Sequence, residues 1–319
     1  MEFLDIYTSF FININLQSIK LFLKNGKSMA SIAISTNSLL SILIFLFSFS
    51  IKSLNSNMLN YFLMESSTPT NTTTSSSSTF FPRIFLYIAL LFLVEFAFIF
   101  AFVAISHISS IATILISAAS YTDKNITFQD LLSMIAKKWK RPWITGFRGS
   151  RTQPARYSVL VVFLAAALWV TYPNTLTFCI SILLGTAAAI FVMYSSVAWV
   201  LAVVASVVEE GCLGKEALEK GEELAKGHRV HGFLLNVFFN LVMLIPFLVY
   251  WLVYGDKVYL ALPYLGLVMV NMFSLVKMLV TVEYTLLYFE SKKYHGQEIE
   301  AFGDLQYTKV PSDDGTAQV

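Results

Sequence analysis

Three ionisable residues that lie in or at the end of long apolar runs are the first candidates for chemistry in this sequence. They are Glu95, Lys277 and Glu209, the last of which ends its run. A charge at bilayer depth is costly, so each of these side chains is expected to pair, to face water or to be neutral. Counted along helices from one membrane face, Lys277 lies near the level of Glu209. The sequence therefore predicts a Lys277–Glu209 ion pair.

Three asparagines in similar apolar runs add hydrogen-bonding capacity. They are Asn236, Asn240 and Asn271, and amides in such positions can bond between transmembrane helices. Together with Glu95, Glu209 and Lys277 they form a candidate intramembrane polar network. One interpretation is a translocation path or ligand site. The other is a set of groups that hold helices in register, which is favoured because no repeated carboxylate or arginine pattern marks a path.

The motifs that would indicate catalysis or metal binding are missing from the sequence. It contains no H-E-x-x-H, no G-x-S-x-G, no Walker loop and no paired C-x-x-C. His228 and His231 stand three residues apart, but no further ligand is near them in sequence, so we interpret both as residues at headgroup level. We expect no catalytic residue, no cofactor and no metal, and hence a protein that is not an enzyme.

The elements that must position these residues are membrane helices. Hydrophobic residues make up 56% of the chain and charged residues 13%, which is roughly half the charge density of a soluble protein. One span needs about 20 mostly apolar residues, and we place six spans at about 30–49, 84–106, 157–172, 176–208, 233–254 and 259–289. The expected fold is all-α, a polytopic membrane helical bundle over residues 30–290. Its second, fourth and sixth helices should project beyond the hydrocarbon core.

Lysine and arginine predict the orientation of this bundle. They concentrate in the segments assigned to the inside, whereas the outside segments hold only Lys52, Arg83 and Lys257. By the positive-inside rule both termini should face the cytosol. The Ser/Thr-rich loop 52–83 would then be luminal. Its Asn71-Thr72-Thr73 sequon is a candidate glycosylation site, with an unmodified flexible spacer as the alternative.

Several cytosolic segments are expected to lie at the membrane interface. Residues 1–29 should form an amphipathic segment, although the alternation at 12–16 is also typical of a strand. Thr127 and Asp130 predict the start of a helix that runs to about Trp139. This helix leads into a basic and aromatic cluster that would contact anionic headgroups or, alternatively, only orient the chain. Its members are Lys137, Lys138, Trp139, Lys140, Arg141 and Trp143.

Two further cytosolic segments complete the layout. Apolar residues on one face predict a short helix after the fourth span, lying against the bundle or the headgroups, with Gly227 as its stop. The polar tail 291–319 is expected to be disordered. Within it, Tyr307 and Val310 match a tyrosine-based sorting signal, a four-residue pattern that is also common by chance.

Residues 198–227 carry a resemblance to a known family. The stretch reads AWVLAVVASVVEEGCLGKEALEKGEELAKG. It is similar to a plant family of uncharacterised six-span proteins, some of which bear the label "polyadenylate-binding protein 1-B-binding protein". More distantly, it resembles the membrane domain attached to some bacterial glycerophosphodiester phosphodiesterases. In both, a V-x-E element ends a span and an A-L-x-K-S-x-x-L-x-K-G helix follows. Here Gly221 stands where the family usually has Ser.

This resemblance implies a six-helix membrane module of the plant secretory pathway. The resemblance implies no catalytic activity for this chain, because the catalytic domain of the bacterial proteins is a separate soluble barrel. No RNA-binding motif accompanies the poly(A)-related label, so we expect no nucleic-acid partner. We expect a multi-pass protein, located between the endoplasmic reticulum and the plasma membrane, that organises proteins or lipids without catalysis. Its partners would be the bilayer, anionic headgroups and proteins that the sequence does not name. The alternative is a small-solute or ion transporter or channel that uses the intramembrane polar residues.

Overall fold

Helices make up nearly the whole of the structure, a computed structural model that describes residues 2–67, 76–124, 126–149, 153–171, 174–254 and 258–297. Ten α-helices and no strand occur among these residues. They are α1 Glu2–Lys24, α2 Gly26–Ser67, α3 Ser76–Tyr121, α4 Phe128–Lys138, α5 Lys140–Gly149, α6 Gln153–Thr171, α7 Thr175–Val208, α8 Lys215–Ala225, α9 Arg229–Tyr254 and α10 Val258–Tyr294. The prediction of an all-α fold is confirmed.

Five of the described helices contain segments long and apolar enough to cross a membrane. The segments are Gly26–Asn60, Ile84–Tyr121, Thr175–Val208, Arg229–Pro246 and Gly266–Tyr294. They identify an integral membrane protein, and they overlap the first, second, fourth, fifth and sixth predicted spans with different bounds. The predicted third span coincides with α6, a helix of 19 residues that is not among the five.

Four of the described helices are far longer than a bilayer core is thick: the three for which this was expected, and also α2 with 42 residues. α3 has 46 residues, α7 has 34 and α10 has 37. At a rise of about 1.5 Å per residue, even α7 would measure about 50 Å. A hydrocarbon core is about 30 Å thick, so these helices must tilt or project out of it.

The boundary predicted after the first span is wrong. A luminal loop was expected from residue 52 to residue 83, but α2 continues to Ser67 and α3 begins at Ser76. Residues 50–67 contain neither Gly nor Pro to end a helix. Polar side chains are accommodated within α2, since the Ser50 hydroxyl donates to the Leu46 carbonyl at 2.8 Å. Asn71, Tyr307 and Val310 lie outside the described residues.

The shorter helices begin and end near the capping and stop residues that the sequence contains. Thr127 is the N-cap of α4, and its hydroxyl oxygen accepts from the Asp130 amide at 3.3 Å. α4 ends at Lys138 with Trp139 as its C-cap, and α8 occupies the helix predicted after the fourth span. Gly227 follows α8 with φ +89°, a conformation that glycine adopts without strain. α1 is helical, so the strand alternative for residues 12–16 is wrong.

The chain forms two compact units. One contains the described residues of 1–17, 117–233 and 283–319, and the other contains those of 18–116 and 234–282. In the first unit the core is the C-terminal half of α7, where Val197, Leu201 and Ala205 are fully buried. In the second unit Met29 and Leu40 of α2 are buried, and Phe47 stacks on Phe98 with ring centroids 4.3 Å apart.

Glycine permits two close helix approaches in the first unit. A Cβ on Gly221 of α8 would lie 2.4 Å from the Ala198 carbonyl oxygen of α7, and one on Gly232 of α9 would lie 2.5 Å from Val197 Cγ1. Such distances exclude any side chain unless the helices move apart. α8 therefore lies against α7, which decides between the two positions that the sequence left open for it. From α10, the Tyr284 hydroxyl donates to the Gly232 carbonyl at 3.2 Å.

Candidate functional site at Glu209

In the first unit, three side chains donate to one carboxylate, that of Glu209. Lys220 Nζ lies 2.5 Å from Oε2 and Lys292 Nζ lies 2.8 Å from Oε1. The Tyr288 hydroxyl also donates to Oε1. The side chain of Glu209 is 13% exposed and that of Lys292 is 6% exposed. We call these four residues the Glu209 cluster, a largely desolvated carboxylate with two cationic partners.

Three helices position this cluster. Glu209 is the C-cap of α7, with extended backbone (φ −93°, ψ 140°) and its amide donating to the Ala205 carbonyl at 2.9 Å. α8 contributes Lys220. α10 contributes Tyr288 and Lys292, which lie one helical turn apart on the same face. The cluster therefore joins the C-terminal end of α7 to α8 and to α10.

Two more cations satisfy backbone carbonyls where α7 ends. Lys138 Nζ donates to the Val207 carbonyl at 2.8 Å, and Arg141 Nη1 donates to the Glu209 carbonyl at 3.0 Å. The last carbonyls of a helix lack intrahelical donors and carry the negative end of its dipole, so cations stabilise them.

The prediction that Lys138 contacts headgroups is therefore wrong, whereas Arg141 is half-buried and uses one guanidinium nitrogen at the end of α7. Lys138 is only 4% exposed, because it lies seven residues after the buried Leu131 and so on the inner face of α4. The remaining members of the predicted basic and aromatic cluster differ in how far they are exposed. Lys137, Trp139 and Lys140 are exposed, and Lys140 Nζ lies 5.4 Å from the Trp139 ring centroid. Trp143 is half-buried against Phe147, with ring centroids 5.8 Å apart.

The Glu209 cluster favours the ionised carboxylate. Burial by itself would raise the pKa of Glu209. Hydrogen bonds from Lys220, Lys292 and Tyr288, together with the positive charge of Lys292, outweigh burial and hold the pKa below its usual value. Near the cluster, burial and the charge of Glu209 raise the pKa of the Cys212 thiol, which opposes formation of a reactive thiolate. An ionised carboxylate and a protonated thiol suit a structural ion-pair cluster better than a proton donor or a nucleophile.

Lys277 bonds to a serine of its own unit. In the second unit, Lys277 Nζ donates to Ser106 Oγ at 2.5 Å and to the Ser106 carbonyl at 3.3 Å, whereas Glu209 is held by the lysines of its own cluster. The depth of a residue along a helix can be counted from sequence, but its direction around the helix axis cannot. A cavity beside Lys277 and Ser106 has a volume of about 10 Å³, room for about one water molecule.

The other predicted network residues find local partners or face outward. Asn271 Nδ2 donates to Ser41 Oγ at 3.2 Å and to the Leu267 carbonyl at 2.8 Å. Asn240 Nδ2 donates to the Asn236 carbonyl of its own helix at 2.7 Å. Glu95 is exposed on α3. Within the second unit the polar residues thus form separate contacts, of which the Ser41–Asn271 and Ser106–Lys277 bonds each join two helices.

The two histidines that stand three residues apart are buried within the first unit. His228 and His231 are each 8% exposed, with ring centroids 5.8 Å apart. The His228 ring also packs edge-on against Tyr294 at 5.3 Å. Burial and the neighbouring His295 lower the pKa of His228, so its ring is neutral near pH 7. Among the described residues, no group of three His, Cys, Asp or Glu side chains could hold a metal ion.

Sequence reasoning missed three members of the Glu209 cluster. Lys220 and Lys292 were counted only as cytosolic charges, and Tyr288 was not considered. The spacing of Tyr288 and Lys292 was an available signal, because residues four apart share a helix face. No local signal could have shown that this face meets the end of α7.

Comparison with known proteins assigns the chain to a family. No curated protein and no solved structure matches it. A family model does match, over residues 2–305, and its description is "Domain of unknown function (DUF8558)". Because this match covers nearly the whole sequence, the chain belongs to the DUF8558 family.

Proposed function

We propose that this protein is a non-catalytic, multi-pass membrane protein of the secretory pathway that organises lipids and proteins at the cytosolic surface of the bilayer. The observation that carries the proposal is the outward face of α4 and the start of α5. We call it the interfacial face and define it as Phe128, Leu132, Lys137, Trp139 and Lys140.

The composition of the interfacial face suits a membrane surface. Phe128 is 63% exposed, Leu132 51% and Trp139 47%, and their spacing of four and seven residues aligns them along one side of the helix. Lys137 and Lys140 are exposed beside Trp139. An amphipathic helix with an apolar stripe and flanking lysines lies in the interface of a bilayer. Each lysine near anionic lipid contributes roughly 1 kcal/mol to binding.

The inner side of the same helices is fixed to the end of α7. Lys138 and Arg141 hold the carbonyls of Val207 and Glu209. In α5, the Thr145 hydroxyl accepts from the Gly214 amide at 3.2 Å. A face fixed in this way keeps one orientation, which a scaffold for lipids or proteins requires.

The proposal includes six spans with both termini in the cytosol. α6 supports the count of six spans as the predicted third span, because its 19 residues would measure about 28 Å, close to the thickness of the hydrocarbon core. The distribution of lysine and arginine supports the orientation. The secretory location is supported by the resemblance of residues 198–227 and by the Ser/Thr-rich tract.

Contacts in the second unit favour this function over a transporter or channel. The polar side chains Lys277 and Asn271 are engaged by Ser106 and Ser41. The cavity beside Lys277 has a volume of about 10 Å³. Transport of a solute requires a continuous water-filled path through the protein. Glu95 lies on an exposed helix surface. These contacts are those of groups that fix helix register.

Lipid selectivity tests the proposal. The full chain is reconstituted in nanodiscs containing phosphatidylcholine and a minority of phosphatidylserine, and the lipid retained after detergent extraction is measured by mass spectrometry. Enrichment of phosphatidylserine is expected for the wild type and is expected to fall to the bulk ratio in Lys137→Gln/Lys140→Gln. The control Lys215→Gln/Lys226→Gln makes the same charge change at exposed positions on and after α8 and should keep the enrichment. Equal enrichment in both double variants would refute the proposal.

A further inference from the structure

The second unit contains a large cleft that neither the Glu209 cluster nor the interfacial face involves. Its volume is about 710 Å³, and α2, α3 and α10 line it. Sites for small ligands commonly measure roughly 300–1,000 Å³. The stacked rings of Phe47 and Phe98 form one apolar wall. The cleft is thus large enough, and apolar enough, for an extended hydrocarbon chain.

The lining of the cleft changes in character along α2. Ile44 and Phe47 line it nearer the middle of the helix, and Lys52, Asn55 and Ser56 line it towards the end. Lys52 lies in the last third of the candidate span Gly26–Asn60, where a lysine can extend to the headgroup level. The cleft therefore combines an apolar part at membrane depth with a polar part near a membrane surface.

The polar part of the cleft is rich in hydrogen-bond donors. Lys52 carries three N–H donors and no acceptor. Asn55 Oδ1 accepts from the Tyr87 hydroxyl, so the remaining group of the Asn55 side chain is its NH₂, which donates. Among the described residues that line the cleft, Lys52 is the one with a charged side chain. A head group with a single negative charge and two acceptor oxygens matches this arrangement.

We propose that this cleft binds a long-chain fatty acid, with the carboxylate at Lys52 and the hydrocarbon chain against the wall that Phe47 and Phe98 form. Phosphatidylcholine, a bulk lipid, has no net charge, because a choline cation accompanies its phosphate, and it carries two chains in place of one. The inference goes beyond the proposed function, because it uses residues of the second unit alone. Experiments on this cleft can therefore refute the fatty-acid site without affecting the proposed lipid contact at the interfacial face, and the reverse also holds.

Photo-crosslinking tests this site in the full chain, reconstituted in phosphatidylcholine nanodiscs with a diazirine-bearing palmitate probe. Labelling is expected to saturate and to map to peptides of α2 and α10. Palmitate should compete at least about tenfold better than hexadecanol, because the alcohol has the same chain without the charge. Labelling that does not saturate, or equal competition by the two compounds, would overturn the proposal.

Gly266 offers a variant that fills the cleft without disturbing the fold. A Cβ on Gly266 would meet nothing within 4 Å, although the residue lines the cleft. Gly266→Leu is therefore expected to fold, as judged by an unchanged melting temperature, and to abolish labelling. Gly185→Leu is the matched control, because Gly185 of α7 also has open space around its Cβ, and it should label like the wild type. A Gly266→Leu protein that labels normally would contradict the site.

Lys52→Gln separates the contribution of the head group from that of the chain. It is expected to weaken competition by palmitate about tenfold and to leave competition by hexadecanol unchanged. Lys27→Gln, an exposed lysine in the first turn of the same helix, should change neither. If Lys52→Gln leaves palmitate competition intact, the carboxylate does not lie at Lys52 and the proposal is wrong.

Discussion

Lys292 Nζ of α10 lies 2.8 Å from Glu209 Oε1 at the end of α7, and neither side chain is more than 13% exposed. The two residues are far apart in the sequence, so only the packing of the two helices brings them together. A desolvated ion pair of this kind is sensitive to the loss of one partner, because the remaining charge stays buried without compensation. Stability of the first unit should therefore depend on Glu209.

Replacing Glu209 by Gln should destabilise the protein by roughly 3 kcal/mol, because Lys292 and Lys220 would lose their anionic partner. The melting temperature of the purified full chain in detergent, followed by intrinsic fluorescence, measures the effect. Glu210→Gln is the control, since Glu210 is the exposed neighbour of Glu209 and should change stability by less than about 0.5 kcal/mol. Equal melting temperatures for the two variants would show that the cluster contributes nothing.

Acidification should destabilise the wild type through the same carboxylate. The folded state lowers the pKa of Glu209, so the stability that it contributes is complete above the usual pKa of about 4.3. It is then lost as the pH falls through the lowered value. The melting temperature of the wild type should fall in this acid range more steeply than that of Glu209→Gln. Parallel curves for the two proteins would contradict the assignment.

Adjacent lysines should respond differently to the same substitution. Lys138→Gln removes a buried ammonium from the Val207 carbonyl and should cost about 2 kcal/mol, the range of hydrogen bonds to charged groups. Lys137→Gln removes an exposed charge and should leave the melting temperature nearly unchanged. A smaller loss of stability in Lys138→Gln than in Lys137→Gln would argue against a structural role for Lys138.

Gly221→Ser should separate α8 from α7. The new Cβ would lie 2.4 Å from the Ala198 carbonyl oxygen and 2.6 Å from the Ala202 amide nitrogen, both of them backbone atoms that cannot turn aside. We expect a loss of about 1–3 kcal/mol from overpacking, measured by thermal denaturation. Gly185→Ser places the same side chain in open space on α7 and should be tolerated. Should both variants melt together, the close approach of α8 to α7 would be wrong.

The orientation has its own test at Asn71. Expression in eukaryotic cells should give a species whose mobility increases after endoglycosidase treatment, because the sequon is expected in the lumen. Asn71→Gln should remove that shift without affecting expression. If the sequon is unmodified, a thiol-reactive probe on a cysteine introduced at Thr72 gives the side directly. A probe that reaches this cysteine from the cytosol would reverse the proposed topology.

Local signals in the sequence determined most of the secondary structure. Thr127 and Asp130 marked the start of α4 because a cap depends on residues only three apart. Long apolar runs identified the membrane helices, since a bilayer forces backbone groups to bond within one helix. The end of α2 was misplaced, because a polar stretch without Gly or Pro can remain helical when its side chains bond to the helix itself.

Tertiary structure alone decided which side chains meet. Lys137 and Lys138 are neighbours in one basic run, yet one is exposed and the other is buried against α7, because successive helix residues point about 100° apart. Depth along a helix suggested Lys277 as a partner of Glu209, whereas the packing of α7, α8 and α10 in the first unit is what brings Lys220 and Lys292 to its carboxylate. Apolar composition determines that a helix lies in the membrane. The angle at which it packs against its neighbours is set by the shapes of all the side chains between them.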